Sequence, residues 1–316
     1  MSETDIEWTK RAGTVGRTWN PTTGCDKISA GCGLPMSDDD QGEDGIGGCY
    51  ACTMAKRLKA MGSAKYQNDG NPVTSGPGFG VTMHPDVLPE PLRWRKPSTV
   101  FVNSMSDLGH ARITREFLTR VWAVMADTRQ HTYQILTKRP RRMARILTDD
   151  CNCGAGHQSG VHFRSEMEWA ATPHNPMYVP GLKHGLYHRM EWPLPNVWMG
   201  TSIELDKHTD RADDLRATPA VVRFISAEPL LGPLPSLDLT GIDWLIIGGE
   251  SGPRSRPMHL DWVYELIGKA RAAGTAVFVK QLGQRWAGTG KGGDWSTWPE
   301  DLRIREYPAG RTAVAA

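Results

Sequence analysis

The sequence has no uninterrupted apolar run near the roughly 18 to 20 residues of a membrane span. Its opening, MSETDIEWTKRAG, also lacks the apolar centre of a signal peptide. Both absences predict a cytoplasmic protein, a compartment in which a structural disulfide is not expected. Charge of one sign is missing too: 37 Lys and Arg face 35 Asp and Glu, a net +2. A protein that coats nucleic acid non-specifically needs a basic surplus, so that class is excluded while a local basic groove is not. Nothing in the composition suggests collagen, a coiled coil or wholesale disorder. With 39% hydrophobic and 23% charged residues, the 316-residue chain reads as an ordinary globular protein, one large barrel or two smaller domains.

Cysteine is scarce, with six in the chain, and its placement carries information. Cys25, Cys32, Cys49 and Cys52 fall within 28 residues, Cys151 and Cys153 form a second pair, and no other cysteine occurs. In a reducing compartment such clustering points to metal ligation or redox chemistry before disulfides.

After Gly76, short β-rich runs alternate with amphipathic helical stretches. Strands are predicted at 79–83, 99–103, 132–137, 197–202, 221–226, 243–249 and 276–281, with 17–24 as one more candidate. The runs are nearly continuous in Val and Ile, as strands buried on both faces require. Helices are predicted at 114–129, opening at Thr114, and at 260–274, with Asp261 as N-cap and Gly274 as stop. Repeated strand–helix alternation implies an α/β fold with a parallel (β/α) barrel, full or partial. The expected organisation is a single barrel domain over 1–285 with insertions at 33–48 and 149–196, then a weakly ordered C-terminal extension over 286–316.

The strand ends carry a hydroxyl, a carboxylate or a cation six times in succession. They are Ser104, Ser106 and Asp107; Lys138 and Arg139; Ser202 and Glu204; Glu228; Glu250 and Ser251; and Lys280 with Gln281. In a parallel barrel these ends converge on one face, which is where such folds place their active sites. The Gly-rich segment 248-GGESGPRSRP-257 is neither a Rossmann fingerprint nor a P-loop, yet Arg254 and Arg256 make it a candidate for a carboxylate or phosphate ligand.

Six residues separate Cys25 from Cys32, and sixteen separate Cys32 from Cys49. If the acidic segment between the latter two is an excursion, three thiolates can meet near the end of the first strand. Three ligands suit a [4Fe–4S] cluster with one iron left open, and sulfur donors favour iron–sulfur or zinc over magnesium or calcium.

The string 19-WNPTTGCDKISAGC-32, continued by 49-CYA-51, resembles the three-cysteine motif of a bacterial and phage family of unknown function related to radical S-adenosylmethionine (SAM) enzymes. Similar strings at 100–108, 135–140, 197–204, 224–234, 243–258 and 278–283 extend the likeness over roughly residues 17–285. A more distant likeness is to spore photoproduct lyase. The resemblance implies a [4Fe–4S] cluster on Cys25, Cys32 and Cys49, with SAM on the open iron. Reductive cleavage of SAM to a 5′-deoxyadenosyl radical would follow, drawing on an electron donor and acting on a nucleic acid or nucleotide in modification or repair. Ser104, Ser106, Asp107, Lys138, Ser202, Glu204 and Glu228 are then candidates to hold SAM. Arg139, Glu250, Ser251, Arg256, Lys280 and Gln281 are candidates for substrate binding or catalysis. The family normally spaces its second and third cysteines as C-x-x-C. Here Cys49-Tyr-Ala-Cys52 has that spacing, so Cys52 rivals Cys49 as third ligand.

Cys151, Cys153, His157 and His162 form a second candidate set, able to bind a structural zinc. The basic run Lys138, Arg139, Arg141, Arg142 and Arg145 is a candidate contact for a nucleic-acid backbone. Two other function classes stay open at this level. One is a zinc- or cluster-stabilised nucleic-acid-binding barrel without radical chemistry. The other is a metal-independent hydrolase using Asp107, Glu228 and Glu250.

Overall fold

The computed structural model describes residues 3–33, 48–149, 157, 159–183, 185–251, 255–288 and 292–309. Its strands are β1 (Val15–Trp19), β2 (Thr22–Thr23), β3 (Thr82–Met83), β4 (Ser98–Val102), β5 (Thr132–Thr137), β6 (Val197–Ser202), β7 (Val222–Ala227), β8 (Trp244–Gly248) and β9 (Ala276–Gln281). Its α-helices are α1 (Tyr50–Ala60), α2 (Arg115–Asp127), α3 (Pro140–Thr148), α4 (Val161–Ala171), α5 (Asp210–Arg216), α6 (Leu260–Ala273) and the short α7 (Gln284–Ala287). Seven strands form one all-parallel sheet in the order β1-β4-β5-β6-β7-β8-β9, curled into a half-barrel with β1 and β9 as its edges. Among the described residues, no helix is long and apolar enough to cross a membrane.

The near-continuous apolar runs explain the layers. Val100, Val102, Ile135, Met199, Ile225, Leu245, Ile247 and Val279 pack outward in one cluster with Phe117, Leu118 and Val121 of α2 and Leu266 of α6. Their sequence neighbours Phe101, Leu136, Trp198, Phe224, Ile246 and Phe278 fill the concave face. Burying side chains of this size stabilises by about 1.5–3 kcal/mol each, which is why both faces are apolar. Gly200 is required by this packing, since a Cβ there would lie 2.3 Å from the Phe224 ring. Trp8 closes the N-terminal end of the concave face, its ring 4.6 Å from that of Phe101.

Four expectations need correction. The segment 79–83 is not a strand of the main sheet. Only Thr82–Met83 is extended, and it pairs antiparallel with Thr22–Thr23, because the chain leaves β1 at Asn20-Pro21 and turns outward. The 149–196 insertion contains α4, whose Phe163, Met167 and Ala170 are buried at helical spacing; Phe163 meets Trp122 of α2 edge-on at 5.8 Å. Helix α6 has His259 rather than Asp261 at its N-cap, with Asp261 in the first turn, while Gly274 ends it in the left-handed region at φ +70°. The residues after 286 that the structure describes are packed rather than loose. Trp298 and Leu302 are buried, the Val279 N–H donates to the Ile304 carbonyl at 2.9 Å, and that of Glu306 donates to Val277 at 2.8 Å. This segment covers the β9 edge, as an otherwise open sheet edge requires.

Candidate metal centre

The cysteines lie where the chain leaves the C-terminal end of β1. Gly24 makes the turn at φ +82°, where a Cβ would fall 2.2 Å from the Gly80 carbonyl oxygen, so no larger residue fits. Cys25 follows it, and Cys32 closes a single 3₁₀ turn over Ala30–Cys32. Cys49 is the N-cap of α1, where the N–H groups of Cys52 and Ala51 favour its thiolate. All four of these cysteines are free thiols.

Their electrostatics sort them. Burial pushes the Cys25 thiol up to about 12; Asp107 adds to the rise, Arg139 opposes it and Cys32 adds to it. Burial raises Cys49 as well, and Cys32 contributes to that shift too. Cys52 is raised by burial but opposed by Lys27 and Lys56, and its thiol donates to the Ser75 carbonyl at 2.9 Å. Cys49 is raised by Cys52 as well as by Cys32, while the Cys52 thiol itself is turned to the Ser75 carbonyl. Among the described residues, no three His, Cys, Asp or Glu side chains are close enough to cage a single metal ion. A cluster spaces its thiolates more widely than one ion does, and three soft sulfur donors fit that chemistry. A thiol raised as far as that of Cys25 carries its proton at neutral pH, so a bound cationic centre would displace it.

Buried ion pairs frame the thiols. Asp107 accepts from the Thr137 hydroxyl at 2.5 Å, the Gly109 N–H at 2.8 Å and the Lys138 N–H at 3.1 Å. It also binds Arg139 at 2.7 Å, and Arg139 then donates to the Cys25 sulfur at 3.4 Å and the Asp26 carbonyl at 3.0 Å. Glu204 has no exposed side-chain surface. It binds Lys138 at 2.8 Å and Arg211 at 3.0 Å, and accepts from the Ser29 hydroxyl and, at 3.2 Å, the Gly31 N–H. Burial alone would raise its carboxyl, but the Lys138 and Arg211 charges prevail and hold it at about 2. Asp26 is likewise held at about 2, because hydrogen bonds from Ser75, Thr74 and His110 outweigh burial. Arg256 binds Glu250 at 2.6 Å, and Lys280 pairs with Glu228, beside which Gln281 lies at 3.5 Å.

The sequence-predicted residues thus gather at one end of the sheet, with most of their charges matched inside the protein. Ser104 donates to Asn20 at 3.2 Å, and Ser106 meets the Thr22 hydroxyl at 2.5 Å. Ser202 is buried at the last position of β6, while Ser251 is exposed. Asp107, Glu228 and Glu250 each face a cation, which leaves none of the three as an unpaired acid or base for the hydrolase reading. The basic run is divided: Lys138, Arg139 and Arg141 are ion-paired, and Arg142 donates to the Ile113 carbonyl at 2.5 Å. It is not a continuous cationic face. His157 and His162 meet edge-on with ring centres 4.7 Å apart. Cys151 and Cys153, like Arg254, lie outside the described residues. Sequence reasoning missed Ser29, Asp26, His110 and Arg211. Ser29 and Asp26 lie within the cysteine string itself, whereas nothing local marks His110 or Arg211.

The fold and site define a parallel α/β half-barrel whose C-terminal end gathers thiols and paired charges. The chain belongs to the family described as protein of unknown function DUF5131, which matches residues 3–307. That span includes the C-terminal segment over β9. No curated protein and no solved structure matches the chain.

Proposed function

We propose that the protein is a radical-SAM-type iron–sulfur enzyme built on a partial barrel of the TIM type. Cys25, Cys32 and Cys49 would hold a [4Fe–4S] cluster that, once reduced, supplies cleavage of bound SAM to a 5′-deoxyadenosyl radical for hydrogen abstraction. The observation that supports this reading best is that the segments carrying Cys32 and Cys49 are tied to one Glu250–Arg256 pair, with Arg139 on Cys25 and the Cys52 thiol turned to Ser75.

The chain's own residues have separable tasks. Arg139, fixed by Asp107, donates to Cys25 and favours its thiolate. Glu204 anchors the Ser29–Gly31 backbone that carries Cys32. Glu228, Lys280 and Ser202 stand at the same strand ends and offer a carboxylate, an ammonium and a hydroxyl to the charged tail of SAM. The apolar concave face, with Trp198 and Phe224, fills the interior of the half-barrel beneath that end. A nucleotide or nucleic acid remains the proposed substrate class. It rests on the family likeness, because the basic run is largely neutralised.

The test is anaerobic purification followed by assay of iron, acid-labile sulfide and zinc. The expected result is a brown protein with matched iron and sulfide. A colourless protein carrying only zinc contradicts the proposal and favours a zinc-stabilised binding barrel.

A further inference from the structure

Sixteen residues stand between Cys32 and Cys49, yet the residues beside them, Ala30 and Gly48, are held by one pair of side chains. A separation of that length in the sequence does little by itself to hold two residues in one geometry. Something outside the intervening sequence has to fix them.

Glu250 and Arg256, both from the Gly-rich segment after β8, reach both ends. Arg256 donates through its Nη2 to the Ala30 carbonyl at 3.0 Å, two residues before Cys32. Glu250 accepts through its Oε1 from the Gly48 N–H at 3.4 Å, immediately before Cys49. The two side chains are locked together by Nη2–Oε1 at 2.6 Å and Nε–Oε2 at 2.9 Å, and the Arg256 N–H adds a third bond to Oε2 at 2.9 Å. Such a forked pair fixes orientation as well as distance. Both are largely withdrawn from solvent, with 10% and 5% of their side-chain surface exposed for Arg256 and Glu250. The base of the pair is fixed in turn: the Glu250 carbonyl accepts from Gln284 at 3.1 Å, and Gly249 packs so tightly on Gly283 that a Cβ would lie 2.8 Å from it. Glu204 holds the Cys32 side at Ser29 and Gly31 but makes no described bond to Gly48.

We infer that the Glu250–Arg256 pair is a positioning device that brings Cys32 and Cys49 into one site across the sixteen-residue separation. Glu250 and Arg256 then act through the cysteines rather than on substrate. The pair would place the two thiols whatever metal they bind, so the inference needs only that these two cysteines share a site.

The test uses the full chain, metal-free and reduced, with the other four cysteines changed to serine. Dibromobimane fluoresces strongly once it has bridged two neighbouring thiols, and its yield reports how often Cys32 and Cys49 meet. Arg256→Met and Glu250→Gln are expected to lower the yield roughly fivefold, the population change that follows from losing about one buried hydrogen bond. Arg256→Lys, which keeps the charge but loses the fork, is expected to fall between these variants and the parent. Far-ultraviolet circular dichroism should match the parent throughout. Undiminished cross-linking in folded variants overturns the inference. Should Glu250→Gln or Arg256→Met fail to fold, Arg256→Lys alone decides: a lower yield supports the device and an equal yield overturns it. Cross-linking as expected in this variant, beside an unaltered parent chain that takes up no iron, would contradict the iron–sulfur reading and leave the positioning role standing.

Discussion

Glu204→Gln is expected to lower the unfolding free energy at neutral pH by about 3 kcal/mol, measured by urea denaturation. The glutamine is nearly the same size but leaves Lys138 and Arg211 facing an uncharged amide in a site where the Glu204 side chain has no exposure to solvent. Breaking a buried pair from one side is costly because the remaining charges stay desolvated. The carboxyl is depressed from 4.5 to about 2 in the fold. A depressed carboxylate stabilises above its unfolded value, and that contribution disappears as pH falls through the folded value. The gap between parent and variant should therefore be full above about pH 4.5 and close as pH approaches about 2. Asp26 titrates in the same range, but it is present in both proteins and cancels from the difference. A gap that is absent at neutral pH, or unchanged on acidification, would show that Glu204 does not carry this charge.

The second large effect concerns which cysteine is the third ligand. Cys49→Ala should abolish iron uptake, as should Cys25→Ala and Cys32→Ala, while Cys52→Ala should leave iron and sulfide content near that of the parent. Cys52 donates its thiol to Ser75 and is flanked by Lys27 and Lys56, whereas Cys49 follows Gly48, whose N–H is held by the same Glu250–Arg256 pair that holds Ala30 near Cys32. Cys49 also stands at the N-cap of α1, a helix start being a setting that favours a thiolate ligand. The opposite pattern, with iron lost in Cys52→Ala and kept in Cys49→Ala, would transfer the third position to Cys52.

Much of the fold is legible in the residues themselves. The runs that become β4 to β9 stand out because strands covered on both faces are almost continuously apolar, and the polar residues after them mark one end of the sheet. Thr114 opens α2 by accepting from the Phe117 N–H at 3.2 Å, as its sequence suggests. Where sequence and structure part, long-range partners decide the outcome. The segment 79–83 is apolar enough for a main-sheet strand, but Thr22–Thr23 is the partner that the fold brings to it.

Long-range pairing also governs the site. Glu204 is visible as a polar residue after a strand, but its link to Ser29 spans 175 positions, and its two cations are Lys138 after β5 and Arg211 in α5. Likewise Glu250 and Arg256 look like ligand-binding residues in a Gly-rich loop until their contacts with Ala30 and Gly48 are seen. The C-terminal segment is weakly patterned because its order comes from the β9 edge it covers, not from its own periodicity. Helix α4 does carry a signal in Phe163, Met167 and Ala170, obscured by the Cys-, His- and Pro-rich residues around it.

The decisive measurement is SAM turnover by the anaerobically purified, reduced protein, with candidate nucleotides and nucleic acids present. Formation of 5′-deoxyadenosine that depends on reductant and is lost in Cys25→Ala is the predicted result. A protein fully loaded with iron and sulfide that leaves SAM intact under every such condition would contradict the radical reading.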